Sequence, residues 1–142
     1  LAFCVHLGDL IDRDWNSFDA ITRPLARSRH AWHQVLGNHD FDVADEKKSA
    51  VPSRLGIAPR RRAFDHGAFR FVILDTNDVS TYAHPAGAPA QAEAERELAR
   101  LQAAGARQAK PWNGGIGDEQ RAWLDRTCGE ARTAGRKVVV LT

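Results

Sequence analysis

Two short stretches carry side chains that could do chemistry: LGDLID at residues 7–12 and LGNHD at residues 36–40. In each, an apolar run meets a glycine and a polar group follows at once. Asp9 offers a carboxylate that can bridge two divalent cations through its two oxygens. Asn38 offers a neutral amide oxygen, a hard ligand that adds no further negative charge. His39 offers an imidazole that gives or takes a proton near neutral pH. Asp12 and Asp40 are spaced to act as outer acceptors, which fix an imidazole's tautomer and raise its basicity. Oxygen donors with some imidazole suit Mn²⁺, Mg²⁺, Fe or Zn²⁺, and the affinity order alone does not choose among them. Such a set suits phosphoester hydrolysis. Two metals roughly 3.5–4 Å apart clamp the attacking and leaving oxygens of an in-line displacement, and a bridging hydroxide can be the nucleophile. His39 would then neutralise charge on the phosphoryl or leaving-group oxygen. Asp and Asn after glycine also make plain turns. Their appearance at the ends of two consecutive predicted strands weighs against that reading.

The elements that must position these groups follow from periodicity. Ala2–Leu7 reads as a buried strand broken only by His6, which reads as a satisfied core side chain. In residues 16–28, Phe18, Ile21 and Leu25 repeat at helical spacing, with Asn16 or Ser17 as cap and Pro24 as a source of a kink or early break. Trp32–Leu36 reads as a second strand ended by Gly37. Asp42–Asp65 reads as loop, and its Arg60–Arg62 run as a solvated stretch of charge. Phe69–Leu74 predicts a strand, and Asp75–Pro89 a loop in which Asp75 could line a cleft. Ala90–Ala109 predicts a surface helix by propensity. A glycine-rich break follows, then a helix over Asp118–Ala134 capped by Asp118 and stopped by Gly135. Val138–Leu141 closes as a buried strand. Helices between apolar strands indicate an α/β layered fold with a largely parallel central sheet. In open sheets of that kind, functional groups gather at the carboxyl ends of strands.

GDLID and GNHD resemble the GDxxD and GNH[DE] blocks of the calcineurin-like metallophosphoesterases. The resemblance implies a metallophosphoesterase-like sheet with flanking helices. It implies two divalent cations, with Mn²⁺ favoured and Fe or Zn²⁺ also suitable. Asp9 would be the bridging ligand, Asn38 a ligand of the second metal, and His39 the catalytic histidine. Asp40 would orient His39, and Asp12 would be supportive. The superfamily also uses an aspartate on an earlier strand, a histidine after a later strand and a GHxH block, and this sequence has none of them. The expected explanation is that residues 1–142 are a fragment of a single domain, incomplete at both ends, with the remaining ligands before Leu1 and after Thr142. The absence of methionine and the apolar runs at both ends agree with that expectation. The fragment alone would then be inactive.

PWNGGIGDEQRAWL at residues 111–124 is similar to the NGG…QxxWL stretch of the manganese-dependent ADP-ribose/CDP-alcohol diphosphatases. So is the spacing from GNHD to FRFVILDTND. The likeness implies a small-molecule, nucleotide-type substrate with a diphosphate linkage. Asn113 could read a hydroxyl, and Trp112 could stack on a base or plug the loop against the core. Trp123 and Leu124 read as core. Alternatives are another calcineurin-like phosphodiesterase or phosphomonoesterase, or a metal-free scaffold module.

The bulk numbers set the bounds. A 142-residue chain, 43% hydrophobic and 27% charged, can build one modest core. A net charge of +2 makes no electrostatic case for nucleic acid. No apolar run is long enough for a membrane span, and no signal peptide is legible. Cys4 and Cys128 have no CxxC partner and read as two buried thiols in a reducing, cytoplasmic compartment.

Overall fold

The computed structural model describes residues 2–142. Among the described residues, five strands form two sheets. In the first, β1 (Phe3–His6) and β2 (Ala31–Gln34) pair in parallel, with Phe3 opposite Ala31 and His6 opposite Gln34. Their crossover is α1 (Ser17–Ala26), which runs on through Pro24 to its end. Asn16 occupies the N-cap without a side-chain cap bond. Asp14 serves instead, accepting from the Asn16 N–H (3.0 Å) and the Ser17 hydroxyl (3.4 Å).

The second sheet has the order β3-β4-β5. Here β4 (Phe69–Ile73) pairs in parallel with β5 (Lys137–Leu141) and antiparallel with β3 (Arg62–His66). The α/β class therefore holds, but the single, largely parallel sheet becomes two sheets with one antiparallel pair. β3 falls where the sequence reads as loop. Its arginine-rich start hides the alternation of Phe64 and His66, and Gly67, at φ +56°, makes a two-residue hairpin turn into Phe69. Two one-turn helices, α2 (Asp45–Lys48) and α3 (Val51–Arg54), also occupy the expected loop.

The sheets meet through aromatic rings. Phe3 sits edge-on to Phe64 and Phe71 at 5.2 and 5.0 Å, and His33 stacks on Phe64 at 3.7 Å. A second apolar cluster, including Leu10, Ile11, Phe18, Leu36, Phe41, Val51 and Leu55, lies behind the first sheet's strand ends.

The helices α4 (Pro89–Ala103) and α5 (Asp118–Thr133) link β4 to β5. Propensity alone extends α4 to Ala109, but Gly105 stops it. Gly105 has φ +70°, and the Ala106 N–H returns to the Leu101 carbonyl, as the Arg136 N–H returns to Ala131 after Gly135. Asp118 is the first residue of α5 rather than its cap, which is Gly117. Cys4 and Cys128 are free and only half-buried. Among the described residues no helix is long and apolar enough to cross a membrane.

Candidate metal and phosphate site

The site grows out of the carboxyl ends of β1 and β2. Because the two strands are parallel, both chains leave the sheet on the same side, and each turns at a glycine. Gly8 has φ +95° and Asp9 φ +55°, backbone that costs a non-glycine residue and that Asp tolerates better than most. The corners touch. A Cβ on Gly8 would lie 2.7 Å from the Gly37 nitrogen, and one on Gly37 would lie 2.1 Å from Asp9 Oδ1. No side chain larger than hydrogen fits at either place, so the glycines let Asp9 and Asn38 approach each other. The His39 N–H donates to Asp9 Oδ1 at 3.0 Å across the gap.

Asp40 fixes this arrangement from beneath. It is fully buried, and its carboxylate accepts from three backbone N–H groups: Leu10 (2.8 Å), Ile11 (3.3 Å) and Gly37 (2.9 Å). One side chain thus ties the Asp9 corner to the Asn38 corner. Burial pushes its carboxyl above the usual range, while the three donors and the nearby Asp9 pull in opposite directions. The orienting contact on His39 comes instead from Asp12, whose Oδ1 lies 3.2 Å from Nδ1. The resemblance gives that contact to Asp40. The structure gives Asp40 the backbone because it sits one residue past His39 in a single 3₁₀ turn, His39–Phe41, facing the core.

Asp9 and Asn38 line one large cavity of about 1010 Å³. His39 and Asn38 line an adjoining pocket of about 330 Å³, with Lys48, Tyr82 and Trp112 on its walls. Asn77, just past β4, and Thr142, at the end of β5, line the large cavity too, so four strand ends open onto it.

The facing wall is the loop after β4. Asp75 does not line the cavity. It is buried, lies 2.6 Å from Arg60 Nε and accepts the Asn77 N–H at 3.1 Å. Burial raises its carboxyl, and the Arg60 guanidinium opposes that. Arg60–Arg62 are therefore not a solvated run. Arg61 pairs with Glu119, Arg62 donates to the Gln34 carbonyl, and all three are half-buried.

Asn77 is the residue that motif reading missed. Its Nδ2 donates to the Leu36 carbonyl at 2.8 Å, one residue before Gly37. Its Oδ1 accepts from the Tyr82 hydroxyl at 2.8 Å. Burial and the negative charges of Asp75 and Asp9 push the Tyr82 pKa up to about 12, so it stays a donor. The strand-end rule that selected Asp9 and Asn38 applies equally to Asn77 and was the available signal.

Behind this wall, Gln120 is buried in α5. It accepts the Asp75 N–H (2.8 Å) and donates to the Asp75 carbonyl (2.9 Å) and to Asp78 Oδ2 (3.1 Å). Asp78 in turn accepts the Gly117 N–H at 3.1 Å. Gly114 lies against the Thr76 carbonyl, where a Cβ would sit 2.0 Å away, and Val79 pairs with Gly115. Trp112 and Asn113 both line the large cavity. Trp112 is 60% exposed, which is not the plug against the core that one reading allowed. Asn113 spends its Nδ2 on the Gln108 carbonyl at 2.7 Å. Trp123 and Leu124 are half-buried on α5, with the Arg61 guanidinium 5.9 Å from the Trp123 ring. His6 is half-buried, and its buried Nδ1 has no partner among the described residues, so it is not the satisfied core histidine expected of it.

The donor chemistry fits part of a dinuclear metal shell. A carboxylate and a neutral amide stand together at one cavity, with an imidazole next to them. Among the described residues no group of three or more His, Cys, Asp or Glu side chains gathers at one point.

Comparison with known proteins defines the class. The calcineurin-like phosphoesterase pattern matches residues 2–141, and the chain belongs to that family. The fold is similar to the crystal structure of a dimetal phosphatase from Danio rerio, with a TM-score of 0.83 and 24% identity. The match covers 98% of this chain and 54% of the zebrafish chain, so this chain spans about half of that protein's length. No curated protein matches the chain in sequence.

Proposed function

We propose that the full-length protein hydrolyses a phosphoester or diphosphate bond with two divalent cations, Mn²⁺ favoured. The observation that carries this reading is the contact of the two glycine corners, with Asp9 and Asn38 lining the large cavity, His39 in the pocket that adjoins it, and the His39 N–H donating to Asp9 Oδ1. Asp9 and Asn38 would hold metal. Bound there, the cations would neutralise phosphate charge and lower the pKa of water.

The chain's own groups do the rest. Asp40 holds the two corners in register. Asp12 beside Nδ1 orients the His39 ring and leaves Nε2 to donate to a phosphoryl or leaving-group oxygen. Asp12 is largely exposed, so its contribution is to geometry more than to stability. Asn77 and Tyr82 fix the backbone that enters the Asn38 corner.

The substrate class in this proposal is a nucleotide with a diphosphate linkage, of the ADP-ribose or CDP-alcohol type. Its support is the similarity of residues 111–124 to diphosphatases of that kind, together with the position of residues 112–118 on the cavity wall. The test is turnover by the full-length protein with Mn²⁺ on ADP-ribose, CDP-choline, cyclic AMP and p-nitrophenyl phosphate. Preferential hydrolysis of the first two is expected. Hydrolysis of only the last two overturns the substrate class, and hydrolysis of none overturns the enzyme reading.

A further inference from the structure

Large exposed aromatic side chains cost solvation, and Trp112 is 60% exposed. Lys47 and Arg54 lie over the Trp15 ring and Arg61 over Trp123, but among the described residues no aromatic ring or cation stacks on Trp112. The segment carrying it is nonetheless held on both sides. The Asn113 N–H donates to the Lys110 carbonyl at 3.0 Å, and the Thr81 hydroxyl donates to the Pro111 carbonyl at 3.2 Å. Gly115 and Val79 exchange backbone hydrogen bonds of 2.9 and 3.1 Å. A fixed loop therefore presents a bare indole.

Trp112 lines both the large cavity and the smaller pocket beside His39, and among the described residues only Asn38 and Tyr82 share that placement. Asn38 is the proposed metal ligand. A molecule whose phosphate sits at Asn38 and His39 would carry its next group along this boundary, against the indole.

We propose that Trp112 is a substrate-positioning platform that stacks on the planar base of a nucleotide. This rests on the phosphohydrolase reading above and adds the recognition element for the non-reacting end of the substrate. Stacking suits the position for two reasons. A π-face accepts any base without a directional hydrogen bond, and an indole on a pinned loop loses little conformational freedom on binding.

The test uses the full-length protein and two probes that differ only by the base, AMP and ribose 5-phosphate. Their binding is followed by calorimetry in wild type, Trp112→Ala and Trp112→Phe. Wild type should favour AMP. Trp112→Ala should weaken AMP about ten-fold, leave ribose 5-phosphate unchanged, and raise KM for the nucleotide substrate more than it lowers kcat. Trp112→Phe should restore most of the AMP affinity. Three outcomes overturn the proposal: unaltered AMP binding in Trp112→Ala, equal loss of both probes, or no preference for AMP in wild type. Equal loss would mean that Trp112 packs against another part of the chain. Because binding is read without turnover, and p-nitrophenyl phosphate hydrolysis can be followed separately, failure of the platform is distinguishable from failure of the hydrolase reading.

Discussion

The two walls of the cavity solve one problem in different ways: one relies on a single carboxylate that is unpaired among the described residues, the other on an amide and a carboxylate met by an arginine. Each is a loop leaving a strand end, and each has buried backbone N–H groups that need acceptors. The Asp9–Asn38 wall uses a buried charge, the Asp40 carboxylate, which takes three of them. On the facing wall the Gln120 amide takes the Asp75 N–H, the Asp75 and Asp78 carboxylates take those of Asn77 and Gly117, and the buried Asp75 is paired with Arg60. The difference suits what each wall would meet. Unneutralised negative charge behind Asp9 and Asn38 favours cations there. Across the cavity the Arg60 guanidinium offsets the buried Asp75 charge, which lessens repulsion of an anionic substrate approaching those cations.

The comparison can be broken at several points. The largest effect belongs to the reacting groups. In the full-length protein, Asp9→Asn and His39→Ala should each lower kcat by about 10²-fold or more, with the fold retained by circular dichroism. Near-normal turnover in either would remove that residue from its role.

Next comes the charged clamp. Asp40→Ala leaves three buried donors without an acceptor and should cost about 3 kcal/mol in chemical denaturation. Asn77→Ala removes one donor–acceptor bridge between the walls and should cost about 2 kcal/mol. If Asn77→Ala proves the costlier, the charged corner is not the stronger of the two attachments.

The smallest effect lies away from the cavity. Asp65 on β3 bonds Arg70 at 2.8 and 3.0 Å and lies 3.2 Å from Arg136. These contacts hold its carboxyl below the usual range, the Arg70 hydrogen bonds contributing most. A carboxyl lower in the folded state stabilises above its unfolded value, near 3.8, and that share is lost as pH falls through the folded value. Asp65→Asn should flatten the acid limb of a Tm-against-pH curve below about pH 4, because the variant lacks at neutral pH the small stabilisation that wild type loses in acid.

Sequence reading served best where one residue type has one physical job. The glycine corners, the strand ends that deliver Asp9 and Asn38, and the stop at Gly135 were legible because positive φ and close approach leave little choice. Gly105 carries the same stop signal, but the alanine-rich propensity around it argued for a longer helix. The hairpin at Gly67 was hidden by the three arginines before it, whose partners (Asp75, Glu119 and the Gln34 carbonyl) are 15 to 58 residues away. The exchange of roles between Asp12 and Asp40 was not legible either. Both are acidic residues near His39 in the chain or across the corner, and only the 3₁₀ turn decides which one faces the core.

The central claim is that Asp9 and Asn38 belong to a single metal centre. It is tested most directly by Mn²⁺ titration calorimetry of the full-length protein, wild type against Asp9→Asn and Asn38→Ala. Two bound ions per chain in wild type, with at least one lost or strongly weakened in each variant and the fold intact, is the predicted result. Unaltered Mn²⁺ stoichiometry and affinity in both variants would contradict it.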